Sequence, residues 1–85
     1  MVLSLPAQGR VFVARGATDL RKGFDGLSAI VRHQFHRDSF NGDVFVFFNG
    51  ARDRVKLLVW DGNGFWLLTK GLERGTFDAG GAPGR

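Results

Sequence analysis

Residues 53–70, DRVKLLVWDGNGFWLLTK, decide the fold of this chain. Two runs of β-branched, leucyl and aromatic residues flank Asp61-Gly62-Asn63-Gly64. Asp-Gly and Asn-Gly are the strongest short-range hairpin signals, because a tight turn needs positive φ and Gly or Asn tolerates it. In the first arm Val55, Leu57 and Val59 alternate with Arg54, Lys56, Leu58 and Trp60. In the second, Phe65, Leu67 and Thr69 alternate with Trp66, Leu68 and Lys70. A period of two lets one face pack on a core while the other looks outward. The outward set is expected to carry the cations and tryptophans of both arms: Arg54, Lys56, Trp60, Trp66 and Lys70.

Upstream, Val44-Phe-Val-Phe-Phe48 is a strand apolar on both faces, the pattern of a central strand. Asn49-Gly50-Ala51-Arg52 closes it into a second hairpin with the arm that begins at Arg54. Ser39, Asn41 and Gly42 mark a turn before it. Further back, Leu20, Phe24, Leu27, Val31 and Phe35, with Ile30 beside them, have the spacing of a helix packing one stripe on a sheet. Arg21, Asp25, Ser28, Arg32 and His36 would form the wet stripe. Thr18 or Asp19 is placed to cap this helix, since a short side-chain oxygen accepts from the free amides of a first turn.

Two features oppose a helix that begins so early. Gly23 and Gly26 each cost roughly 1 kcal/mol against Ala in a helix interior. Arg21 and Lys22 put positive charge where the macrodipole prefers anions. Either the helix starts near Asp25 after a structured loop, or the glycines allow close helix–sheet contact and the cations meet a ligand phosphate. A short strand, Arg10 to Ala14, precedes the turn Arg15-Gly16-Ala17. After the organising hairpin Gly71 and Gly75 interrupt, and Thr76-Phe77 could add a short pairing segment. The order β-α-β-β-β predicts an α+β fold, one helix laid on a mainly antiparallel sheet. Residues 10–77 form the domain, 1–9 a mobile lead-in, and 78–85 (DAGGAPGR from Asp78) a disordered tail with nothing to bury.

Eighty-five residues make one domain, and nine Phe with two Trp supply its bulky core material. There is no Cys, so disulfides and thiolate metal sites are excluded, which suits a reducing cytoplasm. No apolar run reaches the ~20 residues of a membrane span, and the N-terminus lacks signal-peptide character. The formal net charge is +4 and the sequence pI about 10.7, a balance that suits an anionic partner such as nucleic acid.

Catalytic chemistry finds little support. His33 and His36 have helical spacing for a shared metal, but no third ligand is identifiable, so no metal or cofactor is expected. Asp19, Asp25, Asp43, Asp53 and Asp61 are scattered, each with a cap, turn or strand end to serve. No phosphate-binding loop, nucleophile elbow or zinc-finger spacing occurs. The cations are the positive signal. Arg52, Arg54 and Lys56 crowd one arm, Lys70 lies beside them across the ladder, Arg74 follows, and Arg21 and Lys22 open the helix region. Like charges paired across strands repel, so clustering them suggests an anion that offsets the repulsion, unless Asp43, Asp53 and Glu73 do so internally. Trp60 and Trp66 could stack on bases or on a partner, or fill the core.

Two segments carry a resemblance: ATDLRKGFDGLSAIV, and FNGDVFVFFNGARDRVKLLVWDGNGFWLLTKGLERGTF. They resemble the TnpB-type accessory protein of the IS-sixty-six family of bacterial insertion sequences, with matching motifs at Arg21 to Leu27, Phe45 to Phe47, Asp53 to Phe65 and Lys70 to Phe77. The resemblance implies a non-catalytic part in transposition, beside a separate transposase. Two departures remove charge: Gly50-Ala51-Arg52 stands where the family has an Arg doublet or triplet, and Gly71 where it has Arg. The ending DAGGAPGR replaces a Trp-Pro step and ~30 further residues, about one or two short elements, so a C-terminally truncated copy is expected. The functional expectation is DNA binding, or bridging of DNA and transposase, through the hairpin face. Arg54, Lys56 and Lys70 would contact the backbone, supported by Arg52, Arg74, Arg21 and Lys22. The alternative is a protein-interaction module whose sheet edge or tryptophan face docks on the transposase or on a second copy, forming a homodimer.

Overall fold

The computed structural model describes residues 9–37 and 41–77. The lead-in expected over 1–9 (Gly9 apart) and the tail expected over 78–85 lie outside the described residues. The elements are β1 (Val11–Val13), α1 (Phe24–Ile30) continuing into a π turn (Val31–Phe35), β2 (Val44–Phe48), β3 (Arg54–Trp60) and β4 (Phe65–Gly71). The sheet order is β1-β2-β3-β4, with β1 parallel to β2 and the other pairs antiparallel. This is the expected α+β arrangement.

β2 is internal because both its faces are apolar. Phe45 and Phe47 point to the helix and are fully buried, while Val44 and Phe48 are buried on the other side. The register sets Phe12, Phe45, Leu58 and Leu67 in one row under the helix. Leu27 and Val31 pack down onto that layer, with Leu20, Phe24, Ile30 and Phe35 around them. The helix crosses the sheet obliquely. Phe24 at its start stacks on Phe65 of β4 with ring centroids 4.3 Å apart, and Phe35 at its end lies 5.2 Å from Phe12 of β1. Truncating a ring such as Phe45 in this layer removes about 3–5 kcal/mol, from lost transfer energy plus the cavity left behind.

The helix begins late, as the first of the two accounts supposed. Its cap is Gly23, with no side-chain bond from Thr18 or Asp19. Thr18 is instead buried and donates its N–H to the Phe48 carbonyl at 2.8 Å, while Asp19 opens a turn closed by Lys22 N–H to Asp19 O at 3.1 Å. Gly26 does not meet the sheet. A Cβ there would lie 3.1 Å from Cβ of Lys22, whose side chain folds over it. Ser28, expected on the wet stripe, is buried. Thr76-Phe77 forms no strand, but the Phe77 N–H reaches the Arg52 carbonyl at 2.6 Å and its ring lies 5.6 Å from Phe48. Among the described residues, no helix is long and apolar enough to cross a membrane.

Candidate nucleic-acid interface

Because β1 and β2 run parallel and β3 returns, one end of the sheet gathers the ends of β1 and β2, the start of β3 and the end of β4. Arg52 sits in the turn there, Arg54 and Lys56 open β3, and Lys70 and Arg74 lie at and just past the end of β4. Arg21 and Lys22 belong to the loop that follows β1. All seven candidate cations share this end. They do not share a face. Arg54 and Lys56 are opposite Gly71 and Thr69 on the helix side, whereas Lys70 is opposite Val55 on the second side. The closing pair of the hairpin, marked by Asp61 N–H to Gly64 O at 2.9 Å, sets this register. Trp60 therefore faces Phe65, and Trp66 points to the other side with Lys70. The single outward set of cations and tryptophans expected from the alternation is split in two.

The seven cations differ in how far the protein already uses them. Lys56 is half-buried, and its Nζ donates to the carbonyls of Leu20 at 2.8 Å and Lys22 at 3.2 Å. It fastens the loop before the helix to the sheet. Arg52, with φ +57°, lies over the Phe48 ring and donates from Nε to the Phe77 carbonyl at 3.4 Å. It holds the segment that follows β4. Arg21 forks onto the Asp19 carboxylate, Nε to Oδ1 and Nη2 to Oδ2 each 3.0 Å. That pairing, with the Arg21 N–H also donating to Asp19, lowers the Asp19 pKa to about 2. Arg54, Lys22, Lys70 and Arg74 are exposed, and their side chains make no hydrogen bond or ion pair among the described residues.

The expected internal carboxylates do not pair with these four cations among the described residues. Asp53 accepts from Nδ2 of Asn49 at 2.7 Å, and Glu73 forms no ion pair among the described residues. Asp43 lies at the opposite end of the sheet. It is 1% exposed, accepts the Arg10 N–H at 2.8 Å, and pairs with Nε of Arg37 at 2.6 Å. Burial pushes its carboxyl upward, but the Arg10 amide, the Arg37 guanidinium and the Asn41 side chain together hold it below the usual carboxylate range. Arg37 also covers the Phe12 ring at 4.8 Å. Asn49 organises the basic end. Its Oδ1 accepts the N–H groups of Asp53 at 3.1 Å and Arg54 at 3.0 Å. Asn-Gly after an apolar strand is a turn signal that was available in the sequence, but the reach of the Asn49 side chain to amides four and five residues on was not.

Neither tryptophan is fully buried. Trp66 is 42% exposed, and its Nε1 donates to Oδ2 of Asp61 at 2.9 Å. Oδ1 of the same carboxylate accepts the N–H of Asn63 at 3.2 Å and Gly64 at 3.1 Å, while Gly62 supplies the positive φ, +106°. Trp60 is half-buried on the helix side. His33 and His36 are exposed, His36 capping the helical segment with φ +54°. Among the described residues, no group of three His, Asp or Glu side chains could hold a metal ion.

Comparison with known proteins places the chain. A family model described as "IS66 Orf2 like protein" matches residues 9–83. "Uncharacterized protein y4jC" of Sinorhizobium fredii (strain NBRC 101917 / NGR234) is 42% identical over 73 residues, covering 85% of this chain and 62% of the relative. "Uncharacterized protein y4hO" of the same strain is 38% identical over 68 residues, covering 80% of this chain and 59% of the relative. The chain thus spans about three-fifths of the length of these curated relatives. No solved structure matches. With most of its length aligned and its strand, turn and arm motifs inside the matched region, the chain belongs to the IS66 Orf2-like family of insertion-sequence proteins.

Proposed function

We propose that this protein is a non-catalytic accessory factor in transposition that grips DNA phosphates, or bridges DNA to the transposase of its element, through the basic end of its sheet. The observation that carries the reading is the convergence of Arg54, Lys22, Lys70 and Arg74 at that end with no internal partner among the described residues. Exposed cations gathered at one end of the sheet, on both of its sides, offer a polyanion several contacts. Arg21, Lys56 and Arg52 are already engaged by the chain's own groups and stand outside the phosphate-contacting set.

Phosphate contacts position a protein without reading sequence, so the proposed end accounts for affinity and leaves specificity to other contacts. The test is fluorescence anisotropy of a labelled duplex carrying an element end, beside a scrambled duplex of equal length. Three to four phosphate contacts give a slope of log K against log salt of about −3, a loss of roughly 50- to 100-fold between 50 and 200 mM. Equal binding of both duplexes would assign this end to charge-driven contact alone. No binding at the lowest salt would overturn the proposal and favour docking on a protein.

A further inference from the structure

We infer that β4 is a self-pairing edge, through which two copies of the chain join antiparallel into one continuous sheet. The hydrogen-bond phase of the sheet establishes which groups are on offer. Asp61 N–H to Gly64 O and Leu72 N–H to Asp53 O bracket the β3–β4 ladder, and the register between them is unbroken. In an antiparallel pair, bonded and non-bonded positions alternate. Trp66, Leu68 and Lys70 therefore spend their backbone groups on β3, while Phe65, Leu67, Thr69 and Gly71 direct N–H and C=O outward. The β2–β3 ladder has the complementary phase, fixed by Asn49 N–H to Arg54 O. No described residue bonds to the outward groups of β4.

Among the described residues this edge lacks the usual devices that prevent pairing. It is seven residues long, contains no Pro and no bulge, and carries one charge, Lys70. The other edge, β1, has three residues. Read against its own reverse, FWLLTKG is self-complementary. With outward groups bonded to outward groups and all seven residues paired, Phe65 meets the partner's Gly71 and Leu67 meets the partner's Thr69. On the second face Trp66 meets the partner's Lys70, and Leu68 meets its own copy on the two-fold axis. Trp66 and Phe65, 42% and 44% exposed, gain cover, and the lone cation lands on an indole face rather than on its like. Sliding the register until Lys70 faces Lys70 would bring like charges together. In the matched register Lys70 becomes a partner contact, leaving Arg54, Lys22 and Arg74 to DNA.

The absence of cysteine makes the register testable in the full chain. Leu68 would form a non-hydrogen-bonded pair with itself, Cα atoms ~4.5 Å apart, within disulfide reach. Light scattering on a sizing column should give twice the monomer mass at high protein concentration. Mild oxidation should cross-link Leu68→Cys to itself. Trp66→Cys and Lys70→Cys should each fail alone and cross-link when mixed. Thr69→Pro removes an outward N–H without touching the β3 ladder, so it should stay folded by circular dichroism and run as a monomer. A wild-type chain that is monomeric at every concentration would overturn the inference. So would self-cross-linking of Trp66→Cys equal to that of Leu68→Cys, because it would mean a different register or random collision.

Discussion

Lys56 illustrates how one residue's charge can be used twice or only once. Its ammonium is occupied by two carbonyls of the chain itself, so its value is structural. Lys56→Met keeps the alkyl stem and removes both charge-assisted bonds. Urea unfolding should show a loss of about 1–2 kcal/mol, discounted from two such bonds because the site is half-exposed. Asp43 is the buried counterpart at the other end. Asp43→Ala would strand the Arg10 amide and the Arg37 guanidinium, at a cost of about 3 kcal/mol. Its carboxyl is depressed in the folded state, so its contribution is complete above the ordinary carboxylate range and disappears as pH falls through the lowered folded value. Thermal melts from neutral pH downward should thus show a steeper acid loss in the wild type than in Asp43→Asn. Gly9 belongs to the same site, since a Cβ there would run into Oδ1 of Asp43, and Gly9→Ala must displace the carboxylate. Arg21 gives a prediction of the opposite sign. Asp19 stays ionised and paired until pH approaches about 2, so it screens Arg21 throughout the working range. Asp19→Asn releases that guanidinium and should steepen the salt slope of DNA binding by about one unit.

At the scale of elements, the hairpin and the central strand are legible in the sequence, whereas the facing of the two arms is not. VFVFF reads as an internal strand because neither face is polar, and Asp61-Gly62-Asn63-Gly64 reads as a turn because Gly62 must reach φ +106°. The two arms look alike in their chemistry, and only the turn decides how they face. When Asp61 and Gly64 close the hairpin, Trp60 must face Phe65, so tryptophans that look equivalent in the sequence fall on opposite sides. The helix start was ambiguous because Leu20 keeps the apolar spacing while lying outside the helix, its carbonyl taken by Lys56. The Arg10–Arg37–Asp43 network was hidden for another reason: its members are six to 33 residues apart, and only the topology brings them together. The turn itself rests on Asp61, which holds two backbone amides and the Trp66 indole. The Trp66 bond is the leading cause that lowers its pKa. Asp61→Ala should raise tryptophan quenching by acrylamide and lower the stability of the hairpin, because two backbone amides and the indole lose their shared acceptor.

At the scale of the whole molecule, the sheet is electrically polar along its strands. One end holds the seven candidate cations, and the other holds the neutralised Asp43 site and the Asp61 turn. This polarity comes from chain direction more than from any single motif, since residues distant in sequence meet wherever a parallel pair and its antiparallel return end together. Pairing through β4 would turn the two basic ends in opposite directions, so a dimer would present DNA contacts at both extremities. The central claim is that the exposed cations at this end, unpaired among the described residues, contact phosphate, whereas Lys56 does not. Its most direct test is the salt slope of duplex binding for the wild type, Arg54→Ala/Arg74→Ala and Lys56→Met. The account predicts a slope shallower by about two units in the double variant and unchanged in Lys56→Met. A slope unchanged in the double variant, or flattened by Lys56→Met alone, would contradict it.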